Sequence, residues 1–244
     1  MGFFQNLADR FYLNFIADER WHYVTDGLKA TLIITFFALI IGVVLGFLLA
    51  LIRSTYDRTG KKFLKWESIG DFLLWILNIF AKVYLTIIRG TPVVVQLLII
   101  YFVIFGSVNI EKVVVAVLAF GLNSAAYVAE IFRSGIMSID IGQTEAGRSL
   151  GFNYWQTMWY IILPQAFKNV LPTLGNEFIV LLKETSVSGY IALQDLTKGG
   201  DIIRSRTYDA FFPLIAVAII YLVMGMIFTK LVSMLERRLQ QSER

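Results

Sequence analysis

Residues Ala30 to Ile52 form a run of 23 positions without a single charged side chain. At 1.5 Å of rise per residue, a helix of that length crosses the roughly 30 Å hydrocarbon core of a bilayer. Lipid offers no hydrogen bonds to the backbone, so such a chain spans the membrane as helices or as a closed barrel, and a run this long and apolar selects helix. Three further segments, Val113–Phe132, Leu171–Leu193 and Phe211–Thr229, read as spans of the same kind. The remaining apolar stretch, Phe72 to Phe105, is too long for one span and slightly too short for two with a loop. It is interrupted at Arg89-Gly90-Thr91-Pro92. We read it as an interfacial helix carrying Trp75, Asn78 and Lys82, continuing into a membrane helix kinked near Pro92, whose missing N–H weakens the helical ladder. The expectation is an all-α integral membrane protein with five transmembrane helices. If Phe72–Ile88 crossed separately there would be six. A composition of 57% hydrophobic and 16% charged residues agrees with a membrane chain.

Lysine and arginine set the orientation. Segments 53–71, 133–170 and 230–244 carry twelve of them, against seven in 1–29, 106–112 and 193–210. The first set is expected in the cytoplasm, with the N-terminus outside and the C-terminus inside. The expected organisation is an extracytoplasmic or interfacial segment 1–27, a membrane domain 28–235 with a cytoplasmic loop at about 138–165, and a cytoplasmic tail 236–244. No cleavable signal peptide is expected, since charges are scattered through the first 27 residues. Ala38, Gly42, Gly46 and Ala50 recur every four residues of the first span and offer a face for close helix packing.

The chain has no cysteine and a single histidine, His22, so thiolate, Cys-nucleophile and multi-His metal chemistry have no basis. No Walker-type phosphate loop is present. The net charge of +4 is distributed by membrane side and not gathered in one patch, which argues against nucleic acid as a partner. A membrane-embedded protease or transferase would need a nucleophile with a base, or a metal site, and no such motif is found. No catalytic or metal-ligating residue is expected.

The cytoplasmic loop has its own structure in the sequence. Gln143–Leu150 is a short helix candidate, with Asp140 placed to cap its start and Gly151 suited to a left-handed C-terminal cap. A second helix, Tyr154–Leu163, is expected to begin after Asn153 and to end at Leu163-Pro164, because proline disfavours helical geometry in the residue before it. Across this loop stand Glu145-Ala146-Gly147, Gly151, Ile161 and Leu163-Pro164. That spacing resembles the EAA loop of the membrane subunits of ATP-binding-cassette importers, with Gly147 in place of the second alanine and Asp140 where relatives often carry proline. Three other segments look like the branch that imports polar amino acids. These are Arg89-Gly90-Thr91-Pro92; Asn123-Ser124-Ala125-Ala126-Tyr127 with Ala129-Glu130-Ile131-Phe132-Arg133; and Lys183-Glu184-Thr185-Ser186.

The resemblance covers roughly residues 28 to 231 and implies a type I importer permease with a coupling helix, in a bacterial inner membrane. It implies a homodimer or heterodimer of permease subunits, two ATPase subunits that bind ATP and Mg, and an extracytoplasmic binding protein that delivers a polar amino acid. This chain itself would carry no cofactor, and lipid would surround it. The resemblance assigns ATPase docking to Glu145, Ala146, Gly147, Arg148 and Gly151. A passive channel, by contrast, would have no use for that loop.

Polar and ionisable residues within spans are candidates for a transport path. Asn123, Tyr127 and Glu130 fall at i, i+4 and i+7 on one helix face. At similar depth lie Lys183, Glu184 and Ser186 of the fourth span and Thr91 and Gln96 of the second, with Arg89 beside them. A zwitterionic amino acid needs an acceptor for its ammonium, which Glu184 supplies, and donors for its carboxylate, which Arg89, Lys183, Asn123 or Ser186 supply. The alternative is that these groups lock helices together or face a wet subunit interface. The polar segment Gln194–Tyr208 is either a contact for the binding protein or a solvated loop.

Overall fold

The computed structural model describes residues 3–59 and 69–241, all of whose regular structure is helical. Residues 60–68 of the expected cytoplasmic segment 53–71, and the last three residues of the tail, lie outside the described residues. The helices are α1 (Phe3–Phe11), α2 (Trp21–Thr59), α3 (Ile69–Gly90), α4 (Val93–Leu98), α5 (Lys112–Met137), α6 (Ile141–Ser149), α7 (Tyr154–Thr157), α8 (Leu163–Glu184), α9 (Leu196–Thr207) and α10 (Phe211–Gln241). Among the described residues, four helical stretches are long and apolar enough to cross a membrane: Trp21–Arg58, Ile69–Gly90, Lys112–Met137 and Phe211–Leu239. The apolar helix Val93–Ile104 is shorter.

Two compact units divide the chain, and α2, α5, α8 and α10 each contribute to both. The first comprises residues 1–38, 93–120 and 178–230. Its core gathers Val24, Leu182, Leu196, Ile203, Val217 and Met224, with Phe15, Tyr221 and Phe228 against them. The polar segment after the fourth predicted span is a helix, not a solvated loop. Asp195 caps α9 by accepting from the backbone of Thr197 and Lys198 at 3.0 and 3.1 Å, and Leu196 and Ile203 are fully buried. Burial raises the Asp195 carboxyl above its ordinary range against the pull of these bonds. The N-terminal segment is tied to the end of α9. Arg10 donates to both carboxylate oxygens of Asp209, at 3.1 and 2.8 Å, and the buried Asn14 donates to the same carboxylate at 2.9 Å.

The second unit comprises residues 39–92, 121–177 and 231–244. Here the small-residue face of the first span is used as expected. A Cβ on Gly42 would lie 2.8 Å from Ser124 Oγ, and one on Gly46 would lie 2.7 Å from Val128, so α2 and α5 approach more closely than larger residues permit. Ala50 continues the contact with Val128, Phe132 and Val170.

Two expected boundaries differ. The kink near Pro92 is a break: α3 ends at Gly90, Thr91 and Pro92 are non-helical, and a separate helix starts at Val93. Proline suits the position just ahead of a helix, where its absent N–H costs nothing. Conversely, the helical path does not stop at Leu163-Pro164. A π-helical turn, Met158–Ile162, runs directly into α8, and Leu163 has helical dihedrals of −60° and −42°. The wider turn makes room for the proline ring against the preceding turn of backbone. The span expected at 171–193 is thus the end of a longer helix, followed by a 3-10 segment Thr185–Ile191 that Ala192 terminates with φ of +53°.

Candidate functional site

The loop between α5 and α8 is built as a rigid bracket from its own residues. Asp140 caps α6 by accepting from Gly142 N at 2.7 Å. At the other end Gly151 takes φ of +84°, the N–H of Gly151 bonds Arg148 O, and the N–H of Phe152 bonds Gly147 O, each at 3.0 Å. This paired pattern is the Schellman motif. Asn153 and Gln156 then form a reciprocal capping box, each accepting from the other's backbone N–H at 2.9 Å, which starts α7. Arg58 of α2 clamps the loop from above, donating to Thr144 Oγ1 at 2.9 Å and to the carbonyl of Ile136 at 2.7 Å. Tyr154 donates to Thr55 Oγ1 at 3.2 Å, and its burial pushes the phenol above its ordinary range.

The five residues assigned to docking divide by this geometry. Glu145, Ala146, Arg148 and Gly151 are exposed, whereas Gly147 is buried. Its missing side chain is what lets α6 lie on Thr157 and Ile161, both of which would stand 2.9 Å from a Cβ at this position. The smallness of Gly147 therefore serves contact within the chain. Around the exposed residues stand Ile141, Leu150, Trp155 and Tyr160, at 72%, 75%, 54% and 74% exposure. So much apolar surface beside Glu145 and Arg148 is suited to burial against another protein.

The predicted path residues fall in both units. Arg89 and Tyr127 line a cleft of about 640 Å³ in the second unit together with Glu130, Ser134, Asn169, Thr173 and Glu177. Arg89 lies 3.8 Å from Glu130 and 6.0 Å over the Tyr127 ring. Glu130 also pairs with Arg133 at 2.6 Å, and Arg133 reaches Asp57 at 3.4 Å, so this charge is part of a network. Asn123 is buried one turn away on α5, next to Ser124, which donates to Glu177 at 3.0 Å. Thr91 donates back to Ile87 O at 2.8 Å. In the first unit Gln96 is buried on α4, which packs on the 3-10 segment Thr185–Ile191. Ser186 of that segment lines a different cleft of about 550 Å³ with Tyr190, Lys198, Asp201 and Arg204. Glu184 is half-buried and Lys183 exposed. Asn169 and Thr173, which are not among the predicted path residues, join the ionisable Glu177 in lining the cleft of the second unit. The i, i+4, i+8 spacing of Asn169, Thr173 and Glu177 on α8 is the signal that marks them, and Tyr127, Ser134 and Ser138 at i, i+7 and i+11 share a face of α5.

The model of the family described as binding-protein-dependent transport system inner membrane component matches residues 71–241. The chain belongs to that family. It is an inner membrane component, and the membrane-length helices agree. Among curated relatives, the glutamine transport system permease protein of Escherichia coli is 36% identical over 218 residues, covering 88% of this chain and 92% of that one. The arginine transport system permease protein of Bacillus subtilis is 37% identical over 223 residues, covering 91% and 94%. A crystal structure of an amino acid ABC transporter with histidines superposes with a TM-score of 0.76 at 42% identity, covering 98% of this chain and 99% of that one. The inward-facing MetNI methionine ABC transporter, at 19% identity and a TM-score of 0.68, shares the fold. As a family member the chain is a transport permease component and not a catalytic subunit.

Proposed function

We propose that this chain is the membrane subunit of an ATP-driven importer of polar amino acids, paired with a second permease subunit, two separate ATPases and an extracytoplasmic binding protein. The observation that carries the reading is the bracket α6–α7. It is a short helix fixed at both ends, clamped by Arg58, with Glu145, Ala146 and Arg148 turned outward amid exposed apolar side chains. A rigid, partly apolar projection of this kind transmits a push; a flexible loop does not. Closure of the ATPase dimer on ATP would move α6, and the permease would shift between inward- and outward-facing states because the two states differ in affinity for the closed dimer. The substrates named for the relatives, glutamine and arginine, agree with a polar amino acid as cargo. ATP and Mg would be held by the partners.

In this reading five helices cross, the N-terminus lies outside and the C-terminus inside. Support for treating α3 as oblique or interfacial comes from its neighbours. Lys82 lies 6.0 Å over the Tyr56 ring, Arg53 donates to Asn78 at 3.1 Å, and Leu85 packs on Ala126 and Ala129. These contacts are with the later halves of α2 and α5. The length of α3 favours the alternative in which it crosses on its own, giving six spans and an internal N-terminus. The path for the amino acid would involve Arg89, Tyr127, Asn123 and Glu184, with Thr91, Gln96, Lys183 and Ser186 nearby in sequence.

The test is Glu145→Lys, which reverses a charge on the outward rim without touching a packed side chain. Co-purification of the ATPase and substrate-stimulated ATP hydrolysis in proteoliposomes should both fall, while the permease itself remains folded. Full assembly and stimulation in this variant would remove α6 from the coupling interface.

A further inference from the structure

Lys82, Thr86 and Arg89 occupy positions i, i+4 and i+7 on α3 and are all exposed, so they form one polar stripe. Together with Arg53 of α2 they line a cavity of about 410 Å³ in which Glu130 is the only acidic lining residue among the described residues. That carboxylate is already engaged by Arg133 at 2.6 Å. Three cations therefore face one carboxylate that Arg89, at 3.8 Å, already shares with Arg133. Arg53 has a further unmet demand: its Nε is buried with no hydrogen-bond partner among the described residues, although its Nη1 donates to Asn78. On the adjoining stripe of α3, Phe72, Ile76, Phe80, Val83 and Ile87 are exposed and apolar.

We infer that this cavity binds the phosphate of an anionic phospholipid, with the acyl chains lying along the apolar stripe of α3. The ligand must be a net anion, because a zwitterion would bring its ammonium into a site with surplus positive charge. It must also tolerate an apolar neighbour, which singles out a lipid headgroup over a free solute. Arginine forks and a lysine ammonium are the donors that phosphate oxygens take. Basic pockets between membrane helices on the cytoplasmic side bind headgroups in this way. The inference rests on the proposed topology only in naming the cytoplasmic leaflet.

The transporter, assembled with its ATPase, is placed in nanodiscs of phosphatidylcholine containing a graded fraction of phosphatidylglycerol. Retained lipid is counted by native mass spectrometry. Both faces of a nanodisc carry the same lipid, so binding is read whichever way the chain is oriented; topology reporters test orientation separately. Wild-type protein should retain phosphatidylglycerol over phosphatidylcholine. Lys82→Gln, at an exposed position, should weaken that retention about fivefold, Lys82→Arg should restore it, and Lys230→Gln should leave it unchanged. A wild type without preference for the anionic lipid, or a Lys82→Gln variant no different from Lys230→Gln, overturns the proposal. Displacement of the lipid by millimolar inorganic phosphate would also overturn it and assign the cavity to a free anion.

Discussion

At the scale of single residues, two glycines four positions apart have opposite reasons to be glycine. Gly147 lacks space: a Cβ there would stand 2.9 Å from both Thr157 and Ile161. Gly151 has open space around it, with nothing within 4 Å of a Cβ, but holds φ of +84°. Gly147→Val should therefore act by overpacking, at a cost of about 1–3 kcal/mol, and lift α6 from its seat. Gly151→Ala should act through the backbone alone, at about 1–2 kcal/mol, by opposing the left-handed cap. Amide exchange across 141–153 in the assembled complex distinguishes them. The first variant should expose the α6–α7 contact together with the helix, and the second should fray only the last turn and the amides of Gly151 and Phe152. Equal protection in both would mean that the bracket is held from outside this segment.

Elements are joined by polar ties that the hydrophobic pattern does not show. The tie between the N-terminal segment and the turn after α9 centres on Asp209. Burial opposes its ionisation, but the bonds from Arg10 and Asn14 outweigh this and hold the carboxyl below its ordinary range. A carboxyl depressed in the folded state lends stability above the unfolded-state pKa, and that stability disappears as pH falls through the depressed value. The N-terminal segment should thus stay protected from proteolysis at neutral and mildly acid pH and loosen only below the usual carboxylate range. Asp209→Asn, which keeps the shape but removes the charge, should loosen it at neutral pH. Unchanged cleavage between residues 3 and 20 in that variant would show that α1 is held by its apolar contacts instead. Arg58 makes the corresponding tie between α2 and α6; Arg58→Ala should leave two oxygens, Thr144 Oγ1 and Ile136 O, without this donor. The expected loss is about 1.5–3 kcal/mol, read as reduced ATPase co-purification with membrane insertion intact.

For the whole molecule, orientation and path are the testable matters. Reporters at Asn6 and Gly199 should be extracytoplasmic, and reporters at Gln143 and the C-terminus cytoplasmic. An internal Asn6 would favour six spans, and a cytoplasmic Gly199 would sink the arrangement. Glu184→Gln keeps volume and removes charge, so loss of an ammonium contact should weaken uptake by roughly 1.5–3 kcal/mol and shift preference from cationic toward neutral amino acids. Asn123→Ala should impair uptake with the ATPase still bound. Normal transport by both would leave Glu184 and Asn123 as helix-packing residues. Much of this was legible in the chain: the apolar runs around α2, α5 and α10, the caps at Asp140, Gly151 and Asn153, and the packing face at Gly42 and Gly46 all depend on neighbours within a few residues, where periodicity and dihedral preference speak directly. The inward turn of Gly147 and the linings that Arg89, Tyr127 and Ser186 join were not legible. Each depends on which residues distant in sequence come to lie alongside.

The sequence by itself determined a helical membrane protein of this transport family, because uncharged runs of membrane length admit no other satisfied backbone and the loop motif has a fixed spacing. Tertiary structure alone decided how proline at 164 is carried through a π turn, which side of α6 faces its own chain, and where Arg53, Lys82 and Arg89 gather. Those outcomes follow from packing and charge between segments far apart in the chain, and no local preference encodes them.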